Sequence, residues 1–346
     1  MKAQHPVGVI GSGSFGTAIA NVLSKNRDVL LYSRRKDVVE SIIETGEHKG
    51  KKLSENITPI GNLEEIAKNC SLIFPIVPAA HFREMMKEIS PFLKPYHILI
   101  HGTKGLDSPR KNNEQEGRTP FSREQVRTMS EVILEESVVN RVGCFSGPNL
   151  SRELNDDQLA ATVVASKFDE VIKEGQRALA SNRFKVYGSY ELTGIELAGA
   201  LKNVIAIASG ALSGLGYGEN AKAMLLSRGL VEITFLGKAL GGNTQAFLGL
   251  AGVGDLIATC SSPLSRNFSV GFGLAKGKKL DEILAGMNDI AEGVHTVPII
   301  KSMADFYSVR APITQTLHKI LFHNFSIEEG ISFLMNYPIT RDVDFL

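Results

Sequence analysis

Through the first half of the chain, short β-branched runs alternate with stretches that carry apolar residues at helical spacing. Val7–Ile10, Val29–Tyr32, Leu72–Val77, Ile98–His101, Val142–Phe145, Thr162–Ala165 and Lys185–Tyr187 read as strands, and Ser14–Lys25, His81–Phe92 and Ser122–Glu136 as amphipathic helices. This alternation predicts an α/β fold whose first part is a Rossmann-like, doubly wound and mostly parallel sheet with helices on both faces. Beyond residue 190 the period is helical throughout, with Gly and Pro as punctuation and no further strand. A sheet domain over 1–190 and an all-helical C-terminal domain over 191–346 are expected. The polar stretch 107–120 reads as a mobile surface loop.

Composition changes this picture little. A length of 346 residues favours two domains, and 43% hydrophobic with 22% charged residues is ordinary for a soluble globular protein. The formal net charge of +1 gives no general attraction to nucleic acid or acidic membranes, so anion binding has to be local. Cys70, Cys144 and Cys260 have no spacing that suggests a metal site or disulfides. A reducing, cytosolic location is expected, because Met1 leads almost directly into an apolar strand and leaves no room for a signal peptide.

The first chemical motif follows the first strand: Gly11-Ser12-Gly13-Ser14-Phe15-Gly16, a G-x-G-x-x-G opening a helix. Gly11 permits the tight turn, Gly13 lets the backbone approach a pyrophosphate, and Gly16 lets helix pack on strand. The helix N-terminus then faces the phosphates. A glycine turn of purely structural purpose is the alternative, but the strand-turn-helix context favours a dinucleotide. At the end of the second strand, where an NAD-binding unit usually carries a carboxylate, the chain reads Ser33-Arg34-Arg35. Those side chains can accept a 2′-phosphate, which favours NADP and leaves NAD possible. The competing reading is an ordinary solvated helix start, with Asp37 nearby.

In the second half, the apolar helix 191–212 is interrupted by Lys202-Asn203. At helical spacing Lys202 neighbours Ala198, Gly199, Ile205 and Ala206, so its ammonium must be paired, reach water along its stem, or meet an anionic ligand. The charged residues Glu196 and Lys202 argue against a membrane span. Three further stretches carry candidate chemistry: Gly102-Thr103-Lys104-Gly105, Ser146-Gly147-Pro148-Asn149, and Gly252-Val253-Gly254-Asp255 followed by Ser265-Arg266-Asn267. Asp255 and Thr259 are four apart on one helical face. A loop lysine, a Gly-Pro turn and an Asp helix cap are the plainer readings of these stretches.

Together these motifs, with Val77-Pro78, Leu201-Lys202-Asn203-Val204-Ile205-Ala206 and Glu292-Gly293, resemble the bacterial form of the NAD(P)-dependent glycerol-3-phosphate dehydrogenase family over nearly the whole chain. The resemblance implies reversible reduction of dihydroxyacetone phosphate to sn-glycerol 3-phosphate, a supply to phospholipid synthesis, and a homodimer. It puts Lys202 at the position of the proton donor and acceptor, and Lys104 at that of a second substrate lysine. Gly147, Asn149, Asp255, Ser265, Arg266 and Asn267 match substrate-contacting positions. Ser14, Phe15, Arg34, Lys104, Ser151, Arg266, Ile290 and Glu292 match cofactor-contacting ones. Relatives often have Thr at the Asn149 position and Ala at that of Ser151.

The residues support compatible chemistry. A ketone receiving hydride develops negative charge on oxygen, and Lys202, oriented by Asp255, can stand beside it. Thr259 and Asn203 are further substrate-binding candidates, while Arg266 with Asn267 offers donors to a phosphate. Two other functions remain in view. One is an NADP-dependent β-hydroxyacid or ketopantoate-type reductase, which would bind a carboxylate. The other is a non-catalytic NADP-sensing module, which would bind cofactor without turnover.

Overall fold

The computed structural model describes residues 5–108, 120–287, 289–338 and 342. The chain divides into two compact units: Met1–Thr103 with Met129–Leu192, and Lys104–Thr128 with Thr193–Leu346. A boundary near 190 assigns the segment 104–128 to the sheet domain, whereas this division groups it with the helices. Local bonds explain the grouping. Phe121 N–H donates to Ser302 Oγ, Arg123 N–H to the Tyr307 hydroxyl, and Arg123 Nε to the Leu240 carbonyl.

The first unit is built on strands β1 (Val7–Ile10), β2 (Val29–Tyr32), β3 (Glu47–His48), β4 (Lys51–Lys52), β5 (Ile57–Ile60), β6 (Leu72–Pro75), β7 (Ile98–His101), β8 (Arg141–Ser146), β9 (Ala160–Ser166) and β10 (Phe184–Ser189). β3 and β4 form a separate antiparallel hairpin, and the others make one sheet in the order β10-β9-β8-β7-β6-β1-β2-β5. Pairing is parallel except between β8 and β9, as a mostly parallel sheet requires. β1, β6 and β7 are buried along their whole length, which is why they read as unbroken apolar runs. β5 escaped the sequence pattern because Pro59 interrupts it; an edge strand tolerates a residue without an N–H donor.

Helices α1 (Ser14–Leu23), α2 (Lys36–Thr45), α3 (Leu63–Asn69), α4 (Ala79–Ile89), α5 (Met129–Glu136), α6 (Ser151–Asn155) and α7 (Asp169–Leu179) complete this unit. The single helix expected over Ser122–Glu136 is instead one turn, Arg123–Gln125, and then α5. The interruption has a non-local cause: Arg127 and Asp107 exchange both backbone hydrogen bonds at 2.9 Å. Asp107 begins the polar stretch whose residues 109–119 lie outside the described residues, as do 343–346 of the tail.

The second unit contains α8 (Leu192–Gly214), α9 (Glu219–Ala239), α10 (Thr244–Leu248), α11 (Asp255–Ser261), α12 (Arg266–Ala275), α13 (Leu280–Ala285), α14 (Glu292–Phe306), α15 (Pro312–Phe322) and α16 (Ile327–Met335). Among the described residues no strand follows β10. α8 is long and apolar enough to cross a membrane, but 89% of its most apolar window is buried inside the fold. It is a core helix. α12 packs on it so closely that a Cβ on Gly210 would stand 1.9 Å from the Phe268 carbonyl oxygen, and one on Gly271 1.8 Å from that of Ile207.

Candidate active site

In the first unit, β1 lies between β2 and β6, so strand order reverses at the carboxyl ends of β1 and β6. In open α/β sheets ligands bind at such a point. Gly11 turns the chain there with φ +118°, a backbone conformation that L side chains rarely adopt. A Cβ on Gly11 would stand 2.2 Å from the Ile76 carbonyl oxygen, and one on Gly16 only 1.9 Å from that of Gly11. The turn therefore closes backbone against backbone. Gly13 precedes α1 in extended conformation and supplies no side-chain cap, which leaves the first N–H groups of the helix without a side-chain acceptor from that position. Gly16→Ala is expected to cost about 3 kcal/mol or more, because the clash is with backbone rather than a movable side chain. An unchanged urea midpoint would sink this account of the turn.

A cavity of about 240 Å³ opens beside this turn and is lined by Gly11, Ser12, Gly13, Ser33, Arg34 and Arg35, among others. Ser12 Oγ donates to Ser33 Oγ at 2.8 Å, tying the turn to the end of β2. The two arginines differ. Arg35 is paired through Nε and a terminal nitrogen with the Asp37 carboxylate, so Arg34 is the better placed of the two to receive a 2′-phosphate. The solvated-helix reading therefore fits Arg35 better than Arg34.

The remaining first-unit candidates lie at the start of α1 and just beyond β8. Phe15, the second residue of α1, packs on Phe145 with centroids 5.8 Å apart. Ser14 opens α1 and Ser151 opens α6. Gly147 packs against the Ala161–Thr162 backbone. Asn149 is buried, and its amide nitrogen donates to the Ala161 carbonyl at 3.0 Å. That bond anchors the turn to β9, a structural duty that the sequence did not announce. The Asn149 amide oxygen and the Ser146 and Thr162 hydroxyls are buried there without a partner.

The second unit gathers the charged candidates. Lys202, midway along α8, is 4% exposed, and its Nζ lies 2.9 Å from Asp255 Oδ1. Lys104 Nζ lies 2.7 Å from the other oxygen, Oδ2. One buried carboxylate thus holds two ammonium groups. Thr259, one turn along α11, donates to Asp255 Oδ1 at 3.2 Å and accepts from Lys202. The helix-cap reading of Asp255 gives way, since its oxygens are spent on lysines. Asp255 itself follows a single π-helical turn, Leu250–Gly254.

Burial sets the proton affinities. Desolvation lowers Lys202 from the ordinary lysine value to about 8, with Lys104 adding repulsion and Asp255 opposing both. Burial alone would raise Asp255, but the two ammonium groups hold it below the usual carboxylate range. The nearby Cys260 thiol is pushed up to about 12 and stays neutral.

Asn203 reaches the Lys104 and Gly199 carbonyls, both at 3.4 Å. A Cβ on Gly293 would stand 2.7 Å from the Asn203 carbonyl oxygen and 2.8 Å from Asn267 Oδ1, so α8, α12 and the start of α14 converge at this glycine. Asn267 accepts the Gly293 N–H at 2.8 Å through its amide oxygen, and its NH₂ is the donor end of the side chain. Ser265 caps α12, accepting from Phe268 N–H at 3.2 Å. Arg266, first in α12, pairs with Asp289 at 2.7 Å, a partner that sequence reasoning missed because Asp289 belongs to no periodic element. Ile290, 38% exposed, follows Asp289, and Glu292 opens α14.

Both halves of the chain have counterparts among known proteins. The family model described as NAD-dependent glycerol-3-phosphate dehydrogenase N-terminus matches residues 6–172, and that described as the C-terminus matches 191–332. A protein of Ectopseudomonas mendocina (strain ymp), named glycerol-3-phosphate dehydrogenase [NAD(P)+], is 40% identical over all of this chain and 98% of its own length. A Teredinibacter turnerae protein of the same name is 38% identical over 98% of this chain and 96% of its own. The crystal structure of glycerol-3-phosphate dehydrogenase from Coxiella burnetii superposes with a TM-score of 0.87 at 29% identity, covering 96% of this chain and 99% of that one. A ketopantoate reductase from Ralstonia eutropha, at 15% identity and a TM-score of 0.58, shares the fold alone. Matched in both halves and along its full length, the chain belongs to the NAD-dependent glycerol-3-phosphate dehydrogenase family.

Proposed function

We propose that this chain reversibly reduces dihydroxyacetone phosphate to sn-glycerol 3-phosphate, with Lys202 as the proton donor. One observation carries the reading: a buried carboxylate, Asp255, that holds Lys202 and Lys104 together on its two oxygens. Water-exposed lysines need no such arrangement, and a solely structural ion pair needs only one. The fit to a nucleotide rests on the Gly11–Gly16 turn, whose backbone a Cβ at either glycine would strike, and on the helix N-terminus that follows it. Gly11, Gly13, Ser14 and Gly16 would hold the pyrophosphate, with Phe15 and Ser151 beside it, and Arg34 the 2′-phosphate. Arg266, Lys104, Ile290 and Glu292 complete the cofactor contacts that family membership suggests.

When bound, the reduced nicotinamide supplies hydride to the carbonyl carbon. The protein's part is the oxygen. Protonated Lys202 donates a hydrogen bond to it, stabilises the charge that develops, and delivers the proton that completes the alcohol. Asp255 keeps the ammonium aimed, and Thr259 occupies a second hydrogen on it. Lys104 supplies a further positive charge in the same buried cluster. Ser265, Arg266 and the Asn267 amide donate to the substrate phosphate, and Gly147, Asn149 and Asn203 complete the substrate set. In the reverse direction neutral Lys202 accepts the proton.

The reading extends to NADP as preferred cofactor, to a cytosolic homodimer, and to supply of phospholipid synthesis. Arg34→Ala tests the cofactor preference. It is expected to lower kcat/KM for NADPH by about tenfold or more while leaving that for NADH nearly unchanged, as loss of a charge-assisted bond to a phosphate requires. Equal losses with both cofactors would contradict it. The substrate is tested by following NADPH absorbance with dihydroxyacetone phosphate and, separately, with ketopantoate. Turnover should demand the phosphate; faster turnover of the carboxylate would favour the other reductase.

A further inference from the structure

The hairpin β3–β4 carries His48, whose Nε2 lies 2.7 Å from the carbonyl oxygen of Ser12, in the middle of the glycine turn. No periodicity in the sequence marks it. We infer that His48 is a positioning residue for the cofactor's pyrophosphate, acting through the Ser12–Gly13 peptide. The inference rests on the proposal that the turn binds a dinucleotide.

The argument is geometric. A trans peptide is planar, and its C=O and N–H point to opposite sides; cis bonds are absent among the described residues. Holding the Ser12 carbonyl toward His48 therefore aims the Gly13 N–H the other way. Gly13 is the residue before α1, and its N–H stands at the helix N-terminus, where backbone donors can receive phosphate. The Ser12–Gly13 peptide has a glycine on one side, so its plane turns more readily than most unless something fixes it. Two contacts do so: the imidazole, and Thr17 Oγ1, which donates to the same oxygen at a longer 3.4 Å. Ser12 Oγ is tied independently to Ser33. His48 is held in turn by its hairpin and by the Leu53 N–H bond to the Gly46 carbonyl, which closes the loop after α2. The Ser12 carbonyl can only accept, so the imidazole nitrogen donates.

The test compares wild type, His48→Ala and His48→Gln by direct titration with NADPH and with adenosine 2′-monophosphate, which has no pyrophosphate. His48→Ala should raise the NADPH dissociation constant about tenfold, the scale of one lost hydrogen bond to an ordered group. It should leave 2′-monophosphate binding and kcat at saturating NADPH within about twofold. His48→Gln retains an N–H donor and should recover most of the NADPH affinity. Unchanged NADPH affinity in His48→Ala overturns the inference, and so do equal losses for both ligands, which would mean that the hairpin supports the whole pocket. Thermal melting of each variant identifies any that fails to fold, and in that case the glutamine variant decides. Failure of the wild type to bind either NADPH or NADH would instead refute the dinucleotide reading itself.

Discussion

Lys202→Ala should reduce kcat for dihydroxyacetone phosphate by about 10²–10⁴-fold, the usual contribution of a positioned proton donor. NADPH binding should persist, because the glycine turn and Arg34 belong to the sheet unit and Lys202 to the helical one. Removing the lysine also leaves Asp255 with Lys104 as its remaining ammonium partner, so the carboxylate stays charged and the local fold survives. The loss should therefore appear in turnover rather than in stability. Stopped-flow titration and steady-state rates on one preparation check both statements. A variant within tenfold of wild type would remove Lys202 from the chemistry.

Asp255→Ala should act differently, costing stability as well as rate. Its removal takes away the carboxylate that two lysines share, one of them almost fully buried. Breaking a buried ion pair by deleting one partner typically costs about 3–5 kcal/mol, because a charge is left without compensation. Lys202 would relieve this by giving up its proton at a pH below its present value of about 8, and would then be a poor donor. Urea denaturation should show a midpoint shift that Lys202→Ala lacks. A further change, Lys104→Met in the Asp255→Ala background, should restore part of the stability but none of the rate. Wild-type stability in Asp255→Ala would show that the pair is not a buried charge cluster.

The pattern of what could be read follows from range. β1, β2 and β7 are local apolar runs with glycine or polar boundaries, and their limits match the sequence reading residue for residue. The Gly11–Gly16 turn was legible for the same reason, since its whole mechanism lies within a few residues. β5 was hidden by Pro59, whose tolerance depends on edge position, a property of the finished sheet. The break between Arg123–Gln125 and α5 depends on Asp107, twenty residues away in sequence from Arg127. Lys202 was ambiguous on its own helix. Its partner lies 53 residues further along, and only that partnership separates an ammonium spread along its stem from one fixed in the core. Asp289 and His48 carried no sequence signal, because each acts through a contact with a distant turn or helix end.

The central claim is that one buried amine gives the proton in reduction and takes it in oxidation, and the pH dependence of kcat/KM in both directions tests it most directly. The sign follows from the protonation state. Reduction needs charged Lys202 and should fall as pH rises through about 8; oxidation needs the neutral amine and should rise through the same value. Mirror-image profiles that share one inflection near 8 are the predicted result. Profiles that move in the same direction, or that stay flat through that region, would contradict it.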